Sequence, residues 1–560
     1  MKTMAVVISL LICSILALGL SSGKPSLHIT EFLLDSATRG SQQPQPDSFV
    51  SSGTRRSGRA QEAAADFHAS VVRNGIVLDV ATRPVPGSRE DSFVAGDDLR
   101  ISLRIHDAET GSPLTGLHPS AWMSLLSDNP DVPCKTAVKS FQSGSLIGRP
   151  PDVDMNAQYV AALNRDGTIT IVDPQFSTGR SRLISLITLK GRGEDWALNS
   201  NQTRLYVAMP QANEVAAIDT AGWRISHNMQ ISHPGRLALQ PDGHYLWVSY
   251  EGEPSGVAVV RASDLMLVKR IALGKGPHDI AFSNDSRFAF ATSRDAHSVA
   301  VIDVGRLTQM KQVRIDGQPF RIAFSSIAQA AYVSDSENGL ISAIGTNGQE
   351  IVSRIRAEPG LTQISFPGEG RLGFVLNPSK GKVHILDTAR NEIVQTADID
   401  NTPTQISFSD QFAYVMRQRS EVISMLPLDA LGRPNTPVPV IDLPASEGPA
   451  PEPLTDRFTT LVSKVPGENS VVIANPKDKA IYYYYEGMAA PMGIYGNFGR
   501  EPGAVLVIDR ALRETAPGVY EGVARLGRRG SFTLAVAVAT PPLVECFRVP
   551  VGRTEIRSNH

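Results

Sequence analysis

The chain is predicted to be all-β: an eight-bladed β-propeller, with seven blades as the alternative, flanked by N- and C-terminal immunoglobulin-like β-sandwich modules. Three observations predict it. One unit recurs, its aligned apolar position falling at Leu198, Leu239, Phe282, Phe324, Phe366 and Phe408, with spacings of 41, 43, 42, 42 and 42 residues. Within each unit, short apolar alternations are separated by Asn-Asp, Pro-Asp-Gly or Gly-Glu-Gly turns, the pattern of antiparallel hairpins rather than helices. Finally, 46 glycines and 38 prolines accompany a charged fraction of only 20% in 560 residues, which describes a turn-rich chain that folds. A four-stranded unit of roughly 40–45 residues is a propeller blade, because a lone blade cannot bury both of its faces and must stack on neighbours around an axis. An open β-solenoid is the competing reading, although its rungs are usually shorter.

From the N-terminus, Met1 and Lys2 precede an apolar run from Met4 to Leu20 and then Ser21, Ser22 and Gly23. Residues 1–23 read as a secretory signal peptide, with an uncleaved anchor as the alternative; both place the rest outside the cytoplasm, periplasmic or secreted. Cys13 lies inside the apolar core instead of at the cleavage point, so no lipidation is predicted. No later stretch reaches 18 apolar residues, and no membrane span is expected in the mature chain. Residues 24–65 are polar, rich in Pro, Ser and Gln, and read as a disordered linker. Residues 66–132 (IVLDVAT, DDLRISLRIHDAETGSPLTGL, AWMSLLS) read as a small β-sandwich.

Residues 133–490 are assigned to the propeller. Five close copies, from WALNSNQTRLYVAMPQANEVAAID to ISFPGEGRLGFVLNPSKGKVHILD, are followed by a sixth, ISFSDQFAYVMRQRSEVISML. Upstream, DVDMNAQYVAALNRDGTITIVDP fits with Met155 in register. Downstream, the Pro-rich LGRPNTPVP and LPASEGPAPEP stretch the period before a unit ending AIYYYYEG, which shows three strands and no fourth. The missing outer strand is expected from TAVKSFQSG, which would close the ring and remove its exposed edges. Residues 500–555 (AVLVIDRALRE, GVYEGVARL, SFTLAVAVAT, VECFRVPV) read as the second sandwich module.

A net charge of −2 excludes a dedicated nucleic-acid binder. Three cysteines are too few for a disulfide scaffold, a zinc ribbon or an iron–sulfur protein, and no CxxCH motif exists for covalent haem. Cys134 and Cys546 stand at the two ends of the folded part. They form either a disulfide that fastens those ends or two separate buried thiols.

The axial mouth is the usual ligand site of a propeller. Three residues before the aligned apolar position lie Asp152, Asp195, Arg236, Asp279, Arg321, Gln363 and Gln405, a polar ring of mixed sign. It is read two ways: as polar groups bonding one another around a wet channel, or as a site where Arg236 and Arg321 receive an anion. His278 is a candidate metal or haem ligand, against a plain turn or packing role. No HExxH, GxSxG or phosphate-loop motif occurs. The segment Tyr482–Gly499 holds four tyrosines with Met488 and Met492. It reads as an interdomain plug, with a thin copper(I) thioether site as the alternative.

The IAFSNDSRFAFATS…HSVAVID pattern resembles the YVTN-type repeats of secreted and periplasmic bacterial propellers, and an eight-unit count resembles the cytochrome d1 haem-domain group. The resemblance spans about residues 145–490 and implies a propeller, an extracytoplasmic location and a binding role. The nitrite-reducing members of the d1 group carry a c-haem domain that this chain lacks. The segment PGVYEGVARLGRRGSFTLAVAV resembles immunoglobulin-like accessory modules of bacterial envelope proteins. The expected function is therefore a non-catalytic binding or assembly protein of the bacterial envelope, accessory to a periplasmic redox system, with a protein partner or a small anionic ligand and no cofactor. The alternatives are a tetrapyrrole- or metal-dependent (copper included) periplasmic oxidoreductase and a lactonase-like propeller hydrolase.

Overall fold

The computed structural model describes residues 67–85, 98–126, 133–142, 151–156, 158–175, 180–400, 402–418, 420, 422–444 and 458–551. The signal segment, the linker and most of the second Pro-rich insertion lie outside these residues.

Between residues 158 and 509, eight four-stranded antiparallel sheets follow one another. Their first strands are Asp195–Leu198, Pro234–Leu239, Ile280–Phe282, Pro319–Ser325, Ile364–Ser365, Pro403–Phe408, Val462–Lys464 and Pro502–Asp509, and the sheets are numbered 1 to 8 in that order. Each sheet packs face to face on the next through its own apolar cluster. One such cluster joins sheets 1 and 2 around Tyr206 and Leu246. The clusters continue through sheets 7 and 8, around Val472 and Val505, and close between sheets 8 and 1, around Ile171 and Leu205. A row of sheets that returns to its starting member is the β-propeller arrangement.

This packing explains the sequence pattern. Second and third strands are covered on both faces, so Arg204–Met209, Tyr245–Tyr250 and Phe288–Ser293 are buried almost without interruption. Outer strands face solvent and alternate or are largely polar, as in Thr308–Arg314. The residue at the aligned apolar position packs against the aromatic residue on the second strand of the preceding sheet. Trp247 meets Phe282 at 5.3 Å, Phe290 meets Phe324 at 6.1 Å, Tyr332 meets Phe366 at 5.4 Å and Phe374 meets Phe408 at 5.0 Å. Such pairs add about 0.5–1.5 kcal/mol each beyond their buried area. Tight turns set the register; in Pro-Asp-Gly at 241–243, Gly243 takes φ +77°, and Asp242 Oδ1 accepts the His244 N–H at 2.9 Å.

The closure differs from the sequence expectation. Sheet 8 takes its inner strand, Pro502–Asp509, from the C-terminal side, where it pairs with Gln158–Asn164. The AVLVID segment therefore belongs to the ring and not to a C-terminal module. TAVKSFQSG supplies no outer strand: Cys134–Gln142 is an α-helix that buries Val138 against Trp122 and Ala535. Sheet 7 has a fourth strand after all, Gly493–Gly496.

The flanks also differ. The sequence predicts two separate sandwich modules at 66–132 and 500–555, but their strands are shared. Phe67–Arg73, Ile76–Pro84 and Asp98–Asp107 continue into Val519–Arg525 and Arg513–Ala516 in one five-stranded sheet. Ser120–Leu125 lies between Gly530–Val538 and Val153–Asp154 in a second sheet. One core holds both sheets, with Leu78, Ile101 and Met123 from the N-terminal side and Tyr520, Leu534 and Val549 from the C-terminal side. The two segments therefore share one apolar core and form one two-sheet unit. A disulfide joins Cys134 to Cys546 across 412 residues.

Candidate functional site

The starts of the eight first strands converge on one end of the ring, the mouth. Five of them share a Pro-x-(ring residue) pattern: Pro234 before Arg236, Pro277 before Asp279, Pro319 before Arg321, Pro403 before Gln405 and Pro502 before Ala504. The register shifts after the proline in four of these sheets, so that a bulge turns the ring residue toward the axis.

The structure brings six of the seven predicted ring residues together and uses their side chains to clasp neighbouring sheets. Asp195 Oδ2 accepts the Leu237 N–H of sheet 2 at 2.7 Å, and its Oδ1 accepts the Trp196 N–H at 2.9 Å. Asp279 Oδ2 accepts the Ile322 N–H of sheet 4 at 3.0 Å, and its Oδ1 accepts the Ile280 N–H at 2.9 Å. Gln363 grips Ile406 at both backbone groups, accepting its N–H at 3.1 Å and donating to its carbonyl at 3.2 Å. Gln405 likewise accepts the Leu461 N–H at 3.0 Å and donates to the Thr459 carbonyl. Arg236 bridges the two carboxylates, 3.4 Å from Asp195 and 3.3 Å from Asp279.

Asp152 is the exception. It accepts the Leu125 N–H at 2.6 Å and pairs with Arg528 at 2.6 Å, both in the flanking domain. Met155 lies in that domain's core. The reason is the closure: Pro502–Asp509 already occupies the edge that the repeat pattern assigns to DVDM, and Ala504 takes the eighth ring seat.

Aromatic rings fill the mouth between the guanidinium groups. Arg294 stacks on Phe320 at 4.2 Å, Arg321 on Phe458 at 3.7 Å, and Arg236 on the same Phe458 at 4.7 Å. A cation over an aromatic face gains about 0.5–2 kcal/mol, more when water is excluded. Phe458 therefore sits between the two arginines that the sequence offered as an anion fork.

His278 is 3% exposed. Its Nδ1 donates to the Thr292 carbonyl at 2.7 Å, which fixes the tautomer, and its Nε2 is buried without a hydrogen-bond partner. Burial pushes its pKa down. Met488 and Met492 stand on the surface of sheet 7, 45% and 55% exposed. No group of three or more His, Cys, Asp or Glu side chains placed to hold a metal occurs among the described residues.

Asp195 is completely enclosed, and burial pushes its pKa up to about 6 against the opposing effects of Arg236 and the Leu237 and Trp196 N–H groups. The folded chain thus binds its proton more tightly than the unfolded chain. The resulting stability is fully present below about pH 4 and is lost as pH rises through about 6. Acidification from pH 7 to 5 is expected to stabilise the wild type by about 1 kcal/mol relative to Asp195→Asn. Parallel urea titrations across that range measure the difference, and an identical pH dependence in the two proteins would refute it.

No protein-family model matches the chain, and neither does any curated protein. Solved structures do. Kuenenia stuttgartiensis hydrazine synthase is 15% identical, covering 57% of this chain and 96% of the other, with a TM-score of 0.39. Citrobacter koseri AztD is 8% identical, covering 63% and 98%, with a TM-score of 0.49. The β-propeller domain of Cps50 (Swd1) from Myceliophteria thermophila is 12% identical, covering 53% and 98%, with a TM-score of 0.37. These likenesses concern fold, and no ligand or activity is carried over from them.

Sequence reasoning did not find Phe320, Phe458, Arg294 or Ala504. The Pro-x-(ring residue) pattern was available to locate Phe320 and Ala504. Phe458 follows the Pro-rich insertion, where the repeat spacing breaks, and had no such signal.

Proposed function

We propose that this chain is an exported, eight-bladed propeller that acts as a binding and assembly protein of the bacterial envelope, accessory to a redox system, and presents its mouth face to a protein partner. The observation that carries the reading is the use of the ring. Asp195, Asp279, Gln363 and Gln405 direct their side chains to the backbone of adjacent sheets, an architectural use rather than a reactive display. The flanking domain contacts the ring at Thr203, whose hydroxyl donates to Asp98 beyond the opposite end of the strand that Asp195 begins. The disulfide suits an oxidising compartment, as does the N-terminal apolar run. The repeat's resemblance to YVTN and cytochrome d1-type propellers points the same way.

The buried, unpartnered Nε2 of His278 favours a second reading, a tetrapyrrole- or metal-dependent oxidoreductase. Two measurements on the exported protein separate the two. The binding reading expects a colourless protein with substoichiometric metal, and a photo-crosslinker at Glu337, on the mouth side of sheet 4, that gives a discrete adduct in intact cells. A crosslinker at Asp264, on the opposite face, should give none. A Soret band or one tightly held metal per chain would overturn it.

A further inference from the structure

In sheets 2 to 5 the pairing between third and outer strands slips by one residue at the same place. Val268, Met310, Val352 and Val394 are left as bulge residues, spaced 42 residues apart. In sheet 5 the chain itself covers the bulge. Val394 is 9% exposed and shares an apolar cluster with Leu431, against which Val438 also packs; both belong to the Pro-rich residues 431–440. Gln395, the next residue along the strand, holds that segment by its backbone: its Oε1 accepts the Arg433 N–H at 3.2 Å, and its Nε2 donates to the Thr436 carbonyl at 3.1 Å. Among the described residues no segment covers the same position in sheets 2, 3 and 4, where Val268, Met310 and Val352 are 42%, 48% and 59% exposed.

The charge of this rim is one-sided. The outer strands Leu267–Ala272, Thr308–Arg314 and Ile351–Arg356 carry Lys269, Arg270, Lys311, Arg314, Arg354 and Arg356 and no acidic residue. The outer strands of sheets 5, 6 and 7, Glu392–Asp398, Ile441–Pro444 and Gly493–Gly496, carry no lysine or arginine. Lys311 and Arg354 are already paired, with Glu350 and Asp316. Lys269, Arg270, Arg314 and Arg356 make no ion pair among the described residues. Exposed apolar bulges beside unpaired cations call for a partner that is apolar and anionic together.

We propose that the outer strands of sheets 2, 3 and 4 form a docking surface for an extended, acidic polypeptide segment of a partner protein. The segment lies across Val268, Met310 and Val352 and sets its carboxylates on Lys269, Arg270, Arg314 and Arg356. Sheet 5 shows the mode within this chain: an irregular Pro-rich segment buries the bulge residue and is held through its backbone. Consecutive sheets of a closed ring face different directions, so a flat bilayer cannot meet all three bulges, whereas an extended chain can follow them. The rim is separate from the mouth, and the proposal stands without the mouth-face reading above.

The probe is a labelled synthetic peptide of Glu-Val-Pro repeats, about 20 residues long, with Lys-Val-Pro and Glu-Ser-Gly peptides of the same length as controls. Fluorescence anisotropy with the full exported chain is expected to give a Kd below about 100 µM for the first peptide, weakening as salt is added, and binding at least about tenfold weaker for both controls. Arg314→Gln with Arg356→Gln and, separately, Met310→Ser with Val352→Ser should each lower affinity by about tenfold. All four side chains are exposed, so the fold tolerates the changes. Arg528→Gln, in the flanking domain, should leave affinity unchanged. Equal affinity of the wild type and both double variants overturns the proposal, as does failure of the Glu-Val-Pro peptide to bind at about 1 mM. Cosedimentation with phosphatidylglycerol vesicles that is lost in the same variants, without peptide binding, overturns it in favour of a membrane. The Glu337 crosslink reports on the mouth face, and neither result decides the other.

Discussion

Val505→Asp is expected to destabilise the protein by at least about 4 kcal/mol and to disturb the whole ring rather than release the C-terminal flank. Val505 is 1% exposed and packs with Val160, Val472 and Tyr483 between sheets 7 and 8. The same strand sends Ala504 and Ile508 into the cluster between sheets 8 and 1. A carboxylate at 505 loses its hydration without gaining a partner, and the strand that carries it is the one joining the two ends of the array. Without that strand, sheets 7 and 1 expose apolar faces, and every other inter-sheet cluster loses the closure that holds its neighbours in place. With Trp122, Trp196 and Trp223 replaced by phenylalanine, tryptophan fluorescence distinguishes the outcomes, because Trp247 lies between sheets 2 and 3, far along the ring from the substitution. Equilibrium unfolding in urea should show Trp247 losing its buried environment in the same transition, at lower denaturant. Native-like behaviour of Trp247, with early loss of only the flanking domain, would refute the claim that this strand closes the ring.

Asp98→Ala is expected to cost about 3–5 kcal/mol, because it removes the carboxylate that faces a buried guanidinium. Asp98 and Arg525, on adjacent strands of the five-stranded sheet, face each other at 3.3 Å with side chains 10% and 4% exposed. Thr203 of sheet 1 donates to the second Asp98 oxygen at 2.8 Å, so the pair also ties the flanking domain to the ring. Arg204 stands close by. Burial first, and then the Arg525 charge, hold its pKa below the usual range, and removing Asp98 takes away a charge that opposes both effects. Replacing both partners, Asp98→Ala with Arg525→Met, should recover most of the loss, since two apolar groups need no ionic compensation. Denaturant titration of the two single variants and the double variant forms a complete cycle. A loss below about 1 kcal/mol in Asp98→Ala, or no recovery in the double variant, would show that the pair does not lock the domains.

Much of this architecture was legible along the chain. The positions Phe282, Phe324, Phe366 and Phe408 recur because each meets an aromatic residue of the preceding sheet, a demand that repeats with every blade. The polar residues three places earlier are regular for a similar reason: each blade must satisfy backbone groups of the next. What those side chains do was not legible. Asp195 and Gln405 have the same appearance in sequence whether they face a ligand or grip Leu237 and Leu461, because the choice depends on how near the adjacent strand comes. Phe458 was hidden because its arginine partners lie about 140 and 220 residues upstream, beyond any local pattern.

The repeating unit is written locally: four short strands, their turns, the buried middle strands and the polar ring seat all follow from patterns within about 42 residues. How the two ends of the array meet is settled by packing in three dimensions. DVDM stands where the repeat period assigns the inner strand, whereas AVLVID lies beyond the last repeat unit. The difference is non-local. Pro502–Asp509 sends Val505 and Val507 to sheet 7 and Ala504 and Ile508 to sheet 1, burying both of its faces. Val153–Asp154 is two residues long, and its better place is beside Ser120–Leu125 in the flanking domain. A strand more than 330 residues away along the chain therefore closes the ring, because it alone fits both neighbouring faces.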